Sequence, residues 1–200
     1  MAKAVIQKKS LTPKANFFFN ESFFGISEYQ HGFFMKEILI YRNDTLLYHL
    51  KETNRVIWIL RNCLYLISFI LQLFLYPQYT IFDEKGKIIG YSEGSWFRPK
   101  KTFTIDNNQY NIRVHKNNSF SLTKNSIQIA LYEKKPFKWL ESRPDTYYTF
   151  YNDSEPVEII GLFCIFIDLI FFTDCGGRTI TNVFVPYDPH PECTRWRPDE

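Results

Sequence analysis

Short runs of alternating apolar and polar residues recur between residues 79 and 151, with turn-forming residues between them. In the run 109–115, Tyr110, Ile112 and Val114 fall on one face of an extended chain, and the polar residues fall on the other. The turn signals lie at residues 83–86, 106–108, 116–118 and 124–125. This pattern predicts an antiparallel meander with one apolar face and one polar, basic face. The abundance of Phe and Tyr, 20 and 13 residues, also favours strands over helices.

A second β unit and a basic N-terminus are predicted before the meander. Runs 37–41 and 46–50 flank the turn residues 42–45 and predict a hairpin. The first 16 residues contain four lysines and few apolar side chains, which predicts a flexible segment. The predicted organisation is a flexible basic N-terminus over 1–16, one β-rich domain over 17–175 and a C-terminal tail over 176–200.

Residues 157–172 are an apolar segment that breaks the alternation. They follow Pro156 and precede Gly176 and Gly177, which are helix start and stop signals. At ~1.5 Å per residue such a helix reaches about 24 Å, short of the ~30 Å hydrocarbon core of a bilayer. The segment is therefore predicted to be a buried core helix rather than a membrane span.

Residues 56–76 are a second apolar segment, with Arg61 as their only charged residue. Their 21 residues are long enough to span a bilayer. The polar residues Arg61, Tyr65, Ser68, Gln72 and Tyr76 recur every three or four positions, as on one side of a helix that packs against protein. We expect this segment to pack within the domain, and a membrane anchor is the alternative.

The charges are segregated along the chain. Residues 97–138 carry nine basic and two acidic residues, a net charge of +7, whereas residues 141–174 carry seven acidic residues and one basic, a net charge of −6. Two solvated faces of opposite sign would explain this, and so would an anion-binding surface. The candidate anion-binding residues are Arg98, Lys100, Lys101, Arg113, Lys116 and Lys124. Lipid headgroups are the favoured ligand, since the aromatic residues of these runs share the apolar face and leave no stacking platform for nucleic acid.

No motif predicts catalysis or a cofactor. Residues 90–94 match the G-x-S-x-G pattern around Ser92, but the residues that follow predict a strand where a hydrolase needs a helix. Asp174, Cys175, His190 and Cys193 include metal-binding types, but they lack the matching second pair of ligands. Asp168 lies within the predicted core helix, where a buried carboxylate needs a partner. We expect no catalytic residue, no metal and no cofactor.

The order of elements resembles a known family. Residues 79–90 form a strand–turn–strand unit, and residues 145–150 lead into the apolar helix that includes Asp168. Over residues 79–172 this order resembles the tubby-like superfamily, in particular its LURP-one-related and scramblase-like branches. The resemblance implies a closed antiparallel barrel around a C-terminal apolar helix, and a non-enzymatic scaffold that binds phosphoinositides or membrane surfaces in some branches. Segment 56–76 and the residues after the helix depart from this pattern.

The sequence thus predicts a β-rich (α+β) fold, an antiparallel β-barrel or strongly curved sheet wrapping a C-terminal apolar helix. We expect a non-enzymatic binding module that contacts anionic lipid headgroups. The alternatives are a protein–protein interaction module of the inhibitor or immunity type, and an integral membrane protein anchored by residues 56–76. A small-molecule substrate is not expected. Four unevenly spaced cysteines and an N-terminus without a secretory apolar run indicate a cytoplasmic location, and the basic face and segment 56–76 add membrane association as an expectation.

Overall fold

The structure, a computed structural model, describes residues 2–11, 14–30, 35–52, 78–94, 100–115, 119–134 and 145–171. This part of the chain is mostly β-strand and ends in one helix. The strands are β1 (Ala2–Leu11), β2 (Lys14–Phe19), β3 (Ser22–Gln30), β4 (Met35–Arg42), β5 (Thr45–Glu52), β6 (Tyr79–Asp83), β7 (Ile88–Gly94), β8 (Lys100–Ile105), β9 (Asn108–His115), β10 (Ser119–Lys124), β11 (Ile127–Lys134) and β12 (Asp145–Tyr151), and the helix is α1 (Val157–Phe171).

The twelve strands form a closed antiparallel barrel in which each strand pairs with its neighbours in the chain. The barrel closes where β1 pairs with β12, with Ala2 opposite Tyr151 and Lys8 opposite Asp145. Closure leaves the sheet without a free edge strand. The predicted β-rich class, the antiparallel barrel, the hairpin of β4 and β5 and the meander from β6 to β12 are confirmed.

Four of the turns between strands have two central residues in the left-handed backbone region, as two-residue hairpin turns of type I′ require. These residues are Asn20, Glu21, Asn43, Asp44, Asp106, Asn107, Asn125 and Ser126. They lie at one end of the barrel, here called the turn end, together with the turn that contains Gly86. Four of the eight are Asn and two are Asp, and short polar side chains tolerate this conformation better than branched ones. The turn signals at 83–86, 106–108 and 124–125 are therefore confirmed.

The opposite end of the barrel, here called the connection end, is where β1, β3, β5, β7, β9 and β11 finish. The connections 12–13, 31–34, 53–77, 95–99, 116–118 and 135–144 join strands at this end and lie outside the described residues. The predicted apolar segment 56–76 falls within one of these connections, and the predicted tail 176–200 follows the described chain. Within the described part of the chain, no helix is both long and apolar enough to cross a membrane.

The prediction of a flexible segment over residues 1–16 is wrong for the residues that form β1 and the start of β2. Ala4 and Ile6 are buried in the core and alternate with Lys3, which is exposed, and Val5. The side chain of Asn20 reinforces this strand, because its Oδ1 accepts the N–H of Val5 at 2.9 Å. The lysines predict disorder, but an alternating strand puts Lys3 and Lys9 on the outer side while Ala4 and Ile6 face the core.

Helix α1 begins after Pro156 and confirms the predicted helix as far as residue 171. Its side chains from Ile159 to Asp168 are buried. Gly161 allows a close approach, since a Cβ there would lie 2.0 Å from Cε1 of Phe24. At its first turn Glu158 forms an ion pair with Arg42 near the turn end of the barrel.

Aromatic side chains from several strands pack on the helix edge-to-face or tilted, the arrangements that ring quadrupoles favour. The ring centroid of Phe103 on β8 lies 4.4 Å from that of Phe166 and 5.2 Å from that of Phe163. Tyr79 on β6 contacts Phe166 at 5.1 Å, and Tyr110 on β9 contacts Phe163 at 5.2 Å. These four contacts tie the middle of the helix to the meander.

Candidate functional site

The predicted basic site has one cross-strand pair at its centre. Lys100 at the start of β8 lies opposite Arg113 near the end of β9, at the connection end. Arg113 is half-buried. Arg98 and Lys116 lie outside the described residues, in the connections that join β7 to β8 and β9 to β10. The register therefore brings two of the six predicted residues together.

Lys101 does not belong to this outer surface, which corrects the prediction. Its side chain is only 8% exposed, and its Nζ lies 5.8 Å from the ring centroid of Phe166 on the helix. Lys101 shares the inward face with Phe103 and Ile105, because residues two and four positions apart on a strand point to the same side. That alternation is readable in the sequence, and it would have removed Lys101 from the predicted site.

Lys124 is also separate from the Lys100–Arg113 pair, because it ends β10 at the turn end of the barrel. Its Nζ lies 3.0 Å from Oε2 of Glu155, just before the helix, and 6.0 Å from the ring centroid of Tyr110. The hydrogen bond to Glu155 raises the pKa of Lys124. A lysine that is already paired with a carboxylate has less charge to offer an external anion. Lys124 therefore holds the residues just before the helix against β10.

The outer face around Arg113 is polar and internally hydrogen-bonded. Arg113 lies opposite Ser121 of β10, whose Oγ is 2.8 Å from Nε2 of His115. Thr102 donates its hydroxyl to Oδ1 of Asn111 at 2.8 Å. The polar residue types match the polar face that the alternation predicts for the meander, but Asn111, His115 and Ser121 are buried, so this part of the face is not open to solvent.

The structure reveals a buried ionic cluster around Asp168, of which the sequence predicted only the need for a partner. Nζ of Lys8 on β1 lies 2.7 Å from Oδ2 of Asp168, and Nζ of Lys134 on β11 lies 3.7 Å from Oδ1. Tyr147 on β12 donates its hydroxyl to Oδ1 at 2.5 Å. Three adjacent strands thus supply the partners that a buried carboxylate requires.

The two titratable groups next to this cluster, Cys164 and Tyr132, are held in their protonated forms. Burial raises the pKa of the Cys164 thiol well above its ordinary value, and the carboxylate of Asp168 adds to that effect. Burial also raises the pKa of Tyr132 well above its ordinary value, while the Tyr132 hydroxyl donates to the carbonyl of Ile160 at 2.7 Å. A thiol that stays protonated is a poor nucleophile. The cluster therefore links helix and strands and offers no activated side chain.

Ser92 lacks the surroundings of a nucleophile elbow. It lies within the antiparallel strand β7, and its Oγ accepts the N–H of Tyr79 at 2.8 Å. Gly90 serves close packing, as the sequence suggested, since a Cβ there would lie 2.1 Å from the carbonyl oxygen of Thr104. The elements before and after β7 are strands, β6 and β8, rather than a strand and a helix.

The metal-ligand candidates Asp174, Cys175, His190 and Cys193 all lie outside the described residues. Among the residues that are described, no three His, Cys, Asp or Glu side chains gather in a group that could hold a metal ion.

The site and the fold define a twelve-stranded closed antiparallel barrel with a buried ionic cluster beneath its connection end. No family model, curated protein or solved structure matches the chain.

Proposed function

We propose that this protein is a non-enzymatic binding module in which the barrel wraps helix α1, and in which the basic connection end contacts anionic lipid headgroups. A twelve-stranded barrel is too wide for its own inward side chains to fill, so the helix would occupy the remaining interior. The basic end would give the rigid barrel an orientation on a membrane surface.

The contacts of α1 support an internal position for the helix. Phe24 of β3, Phe103 of β8 and Tyr132 of β11 all touch it, and these strands are spread around the closed barrel. A helix that lay outside could contact only a few adjacent strands. The fifteen residues of α1 reach about 22 Å, enough to run from the turn end to the ionic cluster.

The chemistry of the described part supports a binding module rather than an enzyme. Ser92 is engaged by backbone and Asp168 by two lysines and a tyrosine, and both are buried. A general acid or nucleophile must reach a substrate. These side chains instead stabilise the barrel and its helix.

The observation that carries the membrane proposal is the pair formed by Lys100 and Arg113 at the connection end. In the sequence, Arg98 and Lys116 flank this pair, in the connections that meet β8 and β9. Each basic residue near an anionic membrane contributes about 1 kcal/mol, so four of them would give strong, salt-sensitive binding.

The resemblance to the tubby-like superfamily is part of this proposal. It rests on the residue pattern over 79–172 and on a closed antiparallel barrel followed by an apolar helix. A scaffold that binds membrane lipids is what the family likeness implies for this chain.

Sedimentation with lipid vesicles tests the membrane contact. The double variant Lys100→Gln/Arg113→Gln should bind vesicles of phosphatidylcholine and phosphatidylserine about tenfold or more weakly than the unmodified protein at low salt. The matched control is Lys85→Gln/Lys87→Gln, which removes the same charge from two exposed lysines at the turn end. Equal losses in both variants, or binding that ignores lipid charge, would show that the proposed contact is wrong. Capture of a protein partner through the same pair would favour the interaction-module alternative.

A further inference from the structure

Large apolar side chains point outward on six consecutive strands of the barrel, from β2 to β7, among polar residues such as Asn16, His49 and Thr80. Strand register and ring contacts put nine residues on this surface, here called the apolar outer face: Phe18, Phe23, Ile26, Leu39, Tyr41, Leu46, Phe82, Ile88 and Tyr91. We propose that this face is a second membrane contact, which inserts among the lipid headgroups and upper acyl chains. The proposal rests on the proposed membrane function and names the surface that would add salt-resistant binding to it.

Register and ring contacts make the apolar outer face continuous. Phe18 lies opposite Phe23, with ring centroids 6.0 Å apart, and Phe23 lies 5.8 Å from Tyr41 on the next strand. Tyr41 in turn lies opposite Leu46 on β5. The row then continues across β6 and β7, where Phe82 lies opposite Ile88.

These side chains are accessible, in contrast to those that point inward from the same strands. Phe23 is 42% exposed, Tyr91 51% and Ile88 60%, and the other six are half-buried. The inward-facing Phe17 and Ile40 are fully buried. Single exposed apolar residues are ordinary on protein surfaces, but a band across six strands marks an interaction surface.

Towards β8 the apolar outer face ends at β7, and apolar side chains point outward again on β11 and β12, at Leu131, Tyr148 and Phe150. On β8, β9 and β10 the outward positions are occupied by polar residues such as Thr102, Asn111 and Ser121. Since β7 pairs with β8, the apolar outer face adjoins the strands that carry the Lys100–Arg113 pair. Both contacts can therefore meet one membrane surface in a single orientation.

The charges that adjoin the apolar outer face on β1, β4 and β5 are compatible with anionic lipid, and the exposed Glu93 on β7 is an acidic residue at its margin. Nζ of Lys9 lies 4.5 Å from the ring centroid of Phe18, so an exposed ammonium group stands at the edge of the apolar band. The carboxylate of Glu37 is neutralised by Lys51 at 3.1 Å and contacts His49 at 3.3 Å. Repulsion from that acidic group is thereby reduced.

Shape and connectivity favour a bilayer over a protein partner. The outer side of a barrel is convex, and a fluid lipid surface adapts to a convex face, whereas a protein would need a matching hollow. Aromatic residues with a polar tip, such as Tyr41 and Tyr91, are typical of membrane interfaces. In addition, β5 and β6 in the middle of this face are joined by the chain segment whose sequence contains the apolar run 56–76.

The test compares vesicle binding at low and high salt for two variants of the full-length protein. Phe23→Gln/Ile88→Gln removes two exposed apolar side chains of the face, and Ile127→Gln removes a 71% exposed one from β11 on another side. The first variant should lose about tenfold of the binding that survives at high salt, since apolar contacts are not screened. The Ile127 control should keep it.

The outcomes separate this proposal from the charge-based one. If Phe23→Gln/Ile88→Gln matches the unmodified protein at high salt, the apolar outer face is not a membrane contact, whatever the lysine and arginine variants do. If the protein binds neutral vesicles through this face but ignores phosphatidylserine, the face stands and the basic contact fails. A shift in oligomeric state in light scattering without a change in vesicle binding would mean that a second copy occupies the face, which overturns the proposal. Unchanged melting temperatures establish that the variants fold, and Tyr91→Gln offers a second variant.

Discussion

Asp168 is the buried carboxylate that compensates the lysine charges inside the barrel. One carboxylate faces two lysines, Lys8 and Lys134, and a tyrosine hydroxyl from Tyr147. Removing one partner of a buried ionic cluster leaves the remaining charge desolvated without compensation, which costs more than the pair itself contributes. The cluster therefore holds the helix against the strands, because any rearrangement that separates its members inside the barrel leaves a buried charge without a partner.

Replacement of Asp168 by Asn should lower the free energy of unfolding by about 3–5 kcal/mol, because two buried ammonium groups lose their carboxylate. Urea unfolding followed by circular dichroism measures the change. The control is Glu155→Gln, which removes the more accessible ion pair with Lys124 and should cost at most about 1 kcal/mol. Similar costs for both variants would contradict the assigned role of Asp168.

Phe163 tests whether the helix is the core of the barrel. Phe163→Ala removes a fully buried ring that packs on Phe103 and Tyr110, so the free energy of unfolding should fall by about 3–5 kcal/mol. Tyr148→Ala on β12 is the matched control, since its ring is exposed and should contribute little. A Phe163→Ala protein with an unchanged melting temperature would mean that the helix does not fill the barrel.

Sequence alone could predict that Asp168 needs a partner, but not which residues provide it. Lys8 and Lys134 are more than one hundred residues apart in the chain and meet only because β1 and β11 both pair with β12. Such a meeting depends on strand register, which local patterns do not specify. Lys101 differs, because its inward direction follows from alternation with Phe103 and was predictable.

At the scale of elements, turn chemistry made the meander predictable. Short polar residues at positions that need a left-handed backbone fix the turns Asp106-Asn107 and Asn125-Ser126, and the strands follow from alternation. The N-terminal strands were harder, because β2 reads Phe17, Phe18, Phe19 without alternation. Apolar residues on both faces hide the period of two, and this is also why the apolar outer face was not foreseen.

Strand β1 is expected to be essential for folding. Deleting residues 2–11 removes the strand that joins β2 to β12 and also removes Lys8 from the ionic cluster. The truncated protein should be insoluble or lack a cooperative melting transition, as judged by fractionation and circular dichroism. Lys3→Gln/Lys9→Gln, which changes only exposed lysines of the same strand, should melt like the unmodified protein. A soluble, cooperatively melting truncation would restore the view of a dispensable basic leader.

At the scale of the whole molecule, the barrel has distinct sides and ends. The turn end is built of short Asn- and Asp-containing turns, while the connection end holds the long connections and the Lys100–Arg113 pair. Around the circumference, apolar outward residues on β2 to β7 give way to polar ones on β8 to β10. The two vesicle experiments, one on charge and one on apolar contact, therefore examine adjacent parts of a single proposed surface.

The pairing of β1 with β12 also determines when the barrel can close during synthesis of the chain. Ala2 pairs with Tyr151, so β1 is synthesised almost 150 residues before the strand with which it closes the barrel. At roughly 5–20 residues per second that delay lasts about 7–30 s, and α1 emerges only afterwards. Nascent β1 and β2 must stay unaggregated with an open edge during that interval. Barrel closure through such a distant pairing is expected to be slow, and the unpaired strand edges are exposed to aggregation until it occurs.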